Sequence, residues 1–186
     1  TKWQSLSPTN TDRVIFILFF RFLYLTGIRT GNEALGVRWD DLKTEKDYYL
    51  KVRKGKMEGT IKEGREMIIS RSGQESKVII EVMSPLAKIQ GFEKISEAKA
   101  KAPSQCLFEL KRPAEIWRSF ADEMEVEGTL YWFRHTYITN EILRGEPLAH
   151  IAAQVGNSVK MIERHYSHAT MRRIRTAELD RNKKDK

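Results

Sequence analysis

The sequence predicts a mainly helical α+β domain carrying a small antiparallel three-stranded sheet. Three observations lead there. From Pro113 onward, apolar residues recur at three- and four-residue spacing in "AEIWRSFADEM", "RHTYITNEILR" and "PLAHIAAQV", the period of a helix with one buried face. Near the start, Thr9 with Asp12 and Thr30 with Glu33 stand in the Ser/Thr-x-x-Asp/Glu relation that opens helices. Between these regions, β-favouring segments flank a stretch rich in Gly and Lys. With 186 residues the chain can bury one good-sized core, so a single domain is expected.

In chain order, the Thr9 capping pair starts a helix that runs through the apolar stretch to about Leu25 and stops at Gly27. That stretch, "VIFILFFRFLYL", is interrupted by Arg21 and is too short for the roughly 20 residues a membrane span needs, so it reads as a buried helix. Thr30 and Glu33 open a second, short helix just after Arg29, which places Arg29 at a helix entrance where free N–H groups favour an anion. Tyr48 to Arg53 and Glu66 to Ser70 form a long-looped hairpin, and "KVIIEV", Lys77 to Val82, is expected as the third strand. Ser84 and Pro85 then start a helix. The charged, Ala-rich block ending at Pro103 has no assigned place. Gly145 and Gly156 end two of the later helices. Beyond His168 the tail carries a weak helical stripe (Met171, Ile174, Leu179) and a frayed basic end. No internal repeat is visible.

Lys and Arg total 33 against 25 Asp and Glu, a formal charge of +8. A polyanionic partner follows, nucleic acid first and an anionic membrane surface second. The lone cysteine, Cys106, excludes an intrachain disulfide and a cysteine-based zinc cluster, and it fits a reducing compartment. The first residues lack a signal-peptide pattern, and their abrupt polar start is read as a cut from a longer chain.

Arginines beside helix starts (Arg29, Arg134), lysines on the hairpin loop (Lys54, Lys56, Lys62) and a late tyrosine in "MIERHYSHAT" follow one another along the chain. Taken singly they are surface cations, turn residues and an ordinary aromatic. In their order they mean more. "LTGIRTGNEALGVRWDDL" resembles the "TGLR..E...L.W.D" segment of the tyrosine recombinases, the phage-integrase family. "LYWFRHTYIT" resembles their "H..LRHT..T", and "QVGNSVKMIERHYSH" resembles their "lGH.s...T..rYsH" ending. The resemblance spans about Thr9 to His168 and is to the catalytic domain; the family's N-terminal core-binding domain is not represented. Residues 169–186 then form the tail.

The resemblance implies the fold of the DNA breaking-rejoining enzymes and a reaction that needs neither metal nor ATP nor any other cofactor. A tyrosine attacks the scissile phosphate, forms a 3'-phosphotyrosine bond and releases a 5'-hydroxyl. Tyr166 matches the nucleophile. With an ordinary pKa near 10, only about one phenol in a thousand is ionised at neutral pH, so a positive pocket must favour the phenolate. Arg29 and Arg134 match the two arginines that grip the non-bridging oxygens; a planar fork suits two oxygens and the charge of a five-coordinate phosphorus. A hairpin lysine protonates the departing 5'-oxygen, with Lys56 favoured over Lys62 and Lys54.

Two positions depart from the pattern. Tyr131 stands where the family has histidine and still offers a hydrogen bond. Asn157 stands where the family has histidine or tryptophan and cannot take a proton near neutral pH. Proton transfer from Tyr166 then falls to His165, His135 or water, and cleavage is expected to be slowed, not abolished. His135 is expected to face another side of its helix in a supporting role, and Glu33 to cap or to orient Arg29. Trp132, Phe133 and Tyr137 are expected to anchor the helix that aims Arg134.

The expected partner is double-stranded DNA, bound by several protomers in a tetrameric synapse, with a monomer in its absence, no membrane, and the C-terminal tail packed on a neighbour. The expected location is the cytoplasm, in a bacterial cell or encoded by a phage or other mobile element. The alternatives are a catalytically weakened DNA-binding relative and a type IB topoisomerase.

Overall fold

The computed structural model describes residues 9–44, 48–53, 65–70 and 76–184. Helix α1 (Asn10–Thr26) opens on the expected capping box, in which the Thr9 hydroxyl accepts from the Asp12 amide and the Asp12 carboxylate accepts from the Thr9 amide. It closes on Gly27, whose left-handed φ of 62° ends the helix. Phe16, Phe19, Phe22 and Leu23 make α1 the spine of the main core. Among the described residues, no helix is long and apolar enough to cross a membrane.

Helix α2 (Asn32–Leu35) is short and leads through a 3-10 turn (Trp39–Asp41) into the sheet. The sheet is antiparallel in the order β1 (Leu42–Thr44), β2 (Tyr48–Val52), β3 (Arg65–Ser70), with Leu50 opposite both Leu42 and Met67. The expected hairpin is therefore present. The third strand is not where the sequence reading put it. Lys77 to Val82 is helical, running through a π-helical turn (Ile79–Met83) into α3 (Ser84–Ile89). A strand there would alternate Val78, Ile80 and Val82 inward; instead Ile80 is exposed while Val78, Ile79, Val82, Met83 and Leu86 are buried, which is helical spacing. Glu81 is also paired with Arg21 of α1. The true third strand, β1, has three residues, too few for alternation to register.

The Ala-rich block contains helix α4 (Ile95–Lys101). Four helices complete the chain: α5 (Pro113–Glu123), α6 (Tyr131–Arg144), α7 (Leu148–Val155) and α8 (Val159–Lys184). Gly145 and Gly156 are left-handed stops, as expected. Phe133 of α6 stacks on Phe20 of α1 and meets Trp117 of α5 edge-on, which joins α6 to the main core. A second core gathers Ile138, Ile142, Ile151, Val155, Ile162 and Tyr166 from α6, α7 and α8. Helix α8 continues past His168 to Lys184, with one break at Tyr166 (φ −124°, ψ 18°).

Candidate functional site

The ends of α1 and α7 meet the first turn of α6, and Arg134 closes the junction. Its two terminal nitrogens donate to the main-chain oxygens of Gly27 and Val155, both at 2.7 Å, so one guanidinium caps the C-termini of two helices. Arg134 has no exposed surface, and its Nε–H is buried without a partner. A buried donor of this kind costs roughly 1–3 kcal/mol unless an acceptor arrives. Burial, followed by the repulsion of Arg29, pulls the Arg134 pKa down to about 10, which still leaves it charged at neutral pH.

Arg29 reaches the same corner. It donates to Glu33 Oε1 at 2.6 Å, to Asn157 Oδ1 at 2.8 Å and to the Gly156 carbonyl. Glu33 was expected as a cap for α2 or as a partner for Arg29. It bonds Arg29 and does not cap: Gly31 occupies the cap position and no side chain caps the helix. The Glu33 carboxylate is buried between Arg29 and a third arginine, Arg65, which donates to Oε2 at 2.7 Å. Burial works to raise the Glu33 pKa, but the bonds and charges of Arg65 and Arg29 outweigh it and hold the group below the ordinary carboxylate range.

Sequence reasoning missed Arg65. It starts β3, donates also to the Gln154 carbonyl, and lies so close to Gly156 that a Cβ there would stand 2.7 Å from its Nη1. Gln154 pins the same strand, accepting from the Ile68 amide and donating to the Ile68 carbonyl. The only signal in the sequence was an arginine at the start of the returning strand.

Tyr166 sits at the break in α8, 5% exposed, with its hydroxyl 2.6 Å from His135 Nδ1. Burial, then Tyr131, pushes its pKa up to about 12 against the opposing pull of Arg134. Tyr131 is more than a third exposed; its ring lies edge-on to His135 and 6.0 Å from the Arg134 guanidinium carbon. His165 is exposed and acts on His135 through its charge. The structure thus brings together Arg29, Glu33, Tyr131, Arg134, His135, Asn157 and Tyr166. His135 was expected on a different side of its helix from Arg134; it is exposed where Arg134 is buried, and from that side it meets the Tyr166 hydroxyl. Trp132 is also not an anchor: it is 54% exposed and lies over Gly128, while Tyr137 packs against Gly27 and Phe133 against α1 and α5. Lys54, Lys56 and Lys62 lie outside the described residues; Arg53, just before them, is tied to Asp40 and Asp41.

No protein-family model matches the chain, and no curated protein matches it. Solved structures do. XerH site-specific recombinase bound to a palindromic difH substrate, in a post-cleavage complex, is similar over 95% of this chain and 49% of its own, with a TM-score of 0.64 and 16% identity. The fold is shared with these recombinases. The pre-cleavage complex of XerH with difH gives a TM-score of 0.58 at 17% identity over 88% of this chain and 47% of XerH; XerA recombinase gives 0.56 at 17% over 89% and 62%. The chain spans about half the length of XerH. The expected fold class, mostly helical with a small antiparallel three-stranded sheet, is therefore present.

Proposed function

We propose that this chain is the catalytic part of a site-specific DNA recombinase, and that it cuts and rejoins a strand through a 3'-phosphotyrosine bond on Tyr166. The observation that carries the reading is the convergence of Arg29 and Arg134 beside a phenol that is hydrogen-bonded to His135. The unpartnered Nε–H of Arg134 supports it further, because a phosphate oxygen supplies the acceptor this donor lacks. Arg29 turns its fork from Asn157 and Gly156 toward the same oxygens. Glu33 and Arg65 hold it in place, and Tyr131 adds a hydroxyl at the edge. A hairpin lysine, Lys56 first, protonates the leaving oxygen.

The +8 charge supports duplex DNA as the partner. The solved neighbours XerH are themselves recombinases bound to difH substrates. Met171 and Ile174 are exposed on α8, which leaves apolar surface for a neighbouring protomer in a tetrameric synapse. The cell compartment proposed is the cytoplasm.

The test is covalent capture on a pool of nicked suicide duplexes with randomised centres, in which the short 5'-hydroxyl fragment diffuses away and strands the adduct. Wild-type protein is expected to yield a protein–DNA species that survives denaturation, and Tyr166→Phe to yield none while still shifting duplex in a gel. Binding without capture by the wild type would instead assign the chain to a non-cleaving DNA-binding role. Relaxation of supercoils irrespective of sequence would assign it to a topoisomerase.

A further inference from the structure

Asn157, beside Arg29, offers the strand-transfer reading no group that can accept a proton near neutral pH. Its side-chain oxygen is already committed to Arg29. A phenol raised to about 12 by burial does not ionise by itself at neutral pH, so an acceptor within hydrogen-bond reach is required.

The geometry points to His135 as the general base for strand cleavage, taking the Tyr166 proton at Nδ1 while the tyrosine oxygen attacks phosphorus. This rests on the strand-transfer reading above. The two atoms are already 2.6 Å apart, and the rings are 5.5 Å apart between centroids. The imidazole belongs to the residue after Arg134, on the rigid first turns of α6, so the base and the phosphate-gripping guanidinium are aimed by the same helix.

Among the described residues, the charged and titratable groups around the imidazole are Arg134 and Tyr131 on its own helix and His165 and Tyr166 on α8. Burial, then Arg134, then His165 hold its pKa below the ordinary 6.5, so it is neutral at pH 7 and free to accept. His135 also lines an open surface pocket of about 290 Å³ with Trp132, Thr136, Thr139 and Asn140.

The step balances. The Tyr166 O–H bond breaks and its proton passes to Nδ1. A Tyr166 O–P bond forms, the P–O5' bond breaks, and the 5'-oxygen collects a proton from the hairpin ammonium group. Rejoining reverses each transfer, with the imidazolium returning its proton to the leaving phenol.

The experiment uses the sequence enriched by wild-type capture, in duplexes with either an ordinary or a 5'-bridging phosphorothiolate scissile linkage. A sulfur leaving group needs no protonation, so it removes dependence on the leaving-group acid and leaves dependence on the base. His135→Gln is expected to slow single-turnover cleavage about 100-fold or more on both substrates, with duplex binding and the thermal midpoint preserved. A lysine variant of the hairpin is expected to recover on the sulfur substrate. Wild-type cleavage should fall as pH drops through the depressed His135 pKa, and the variant should instead rise steadily with hydroxide. A His135→Gln rate within threefold of wild type, or an unchanged acid limb, overturns the assignment while leaving the strand-transfer reading intact. Should His135→Gln not fold, the ring-nitrogen resonances of the wild type and of Tyr166→Phe supply the second test: an unaltered His135 titration when the phenol is removed overturns it equally. Failure of wild-type capture sinks the strand-transfer reading, and this inference with it.

Discussion

Arg65 donates to the Glu33 carboxylate at 2.7 Å, and the carboxylate it holds is the one that holds Arg29. One buried anion thus sits between two guanidinium groups, one from the turn between α1 and α2 and one from the start of β3. Without it, Arg29 and Arg65 would repel each other next to Arg134.

Glu33→Gln keeps the shape and removes the charge. Breaking a buried ion pair costs roughly 3–5 kcal/mol, and the partial exposure of both arginines screens part of that, so a loss of about 2–3 kcal/mol in urea unfolding is expected. The pH dependence has a definite sign. The Glu33 pKa is lower folded than the ordinary 4.5, so its contribution is fully present above pH 4.5 and disappears as pH falls through the folded value. The gap between wild type and variant should therefore be constant at neutral pH and close in acid.

Arg134→Lys keeps a cation but not the fork. An ammonium cannot reach both the Gly27 and the Val155 carbonyls in the geometry of two parallel donors. Losing at least one charge-assisted bond in the interior is expected to cost about 2–3 kcal/mol, read as a lower thermal midpoint. On the proposed strand-transfer reading, DNA cleavage should fall about 100-fold or more, because the Nε–H that would meet the phosphate is lost with the guanidinium.

Gly27→Ala tests the close approach of α1 and α6. At φ 62° a side chain costs about 1 kcal/mol, and the added Cβ would lie 2.3 Å from Tyr137 Cδ1. Together with overpacking of about 1–3 kcal/mol, a loss of about 2–4 kcal/mol is expected in chemical unfolding. Tyr137→Ala on that background should reduce the penalty of the alanine, since it removes the clashing ring; equal penalties in both backgrounds would contradict the contact.

Asn157→Ala removes one of three bonds to Arg29, with Glu33 and the Gly156 carbonyl remaining. Stability should change by less than about 1 kcal/mol. Cleavage should drop roughly tenfold as Arg29 loses orientation, measured as single-turnover rate against unchanged duplex affinity.

Local chemistry was legible where a signal and its consequence lie within a few residues of each other. The Thr9 capping box, the stops at Gly27, Gly145 and Gly156, and the hairpin of Tyr48–Val52 with Arg65–Ser70 all follow from such signals. The failures are equally physical. Lys77 to Val82 is rich in β-branched residues, yet its burial pattern is helical because α1 packs across it and buries residues three and four apart. Thr30 and Glu33 have capping spacing, but the carboxylate is claimed by two arginines whose pull exceeds that of a backbone amide.

By itself the sequence determined the long first helix and the later ones with their glycine stops, the hairpin, the positive charge and the order in which Arg29, Arg134, His135 and Tyr166 follow one another. Only the tertiary structure decided which of those groups touch. Arg134 lies 107 residues from the Gly27 oxygen it caps, and His135 lies 31 residues from the Tyr166 hydroxyl. Arg65 reaches Glu33 across 32 residues and Gln154 across 89. Such contacts are set by how α1, α6, α7 and α8 pack around two shared cores, a property of side-chain volumes summed over the whole domain and not of any short run of residues.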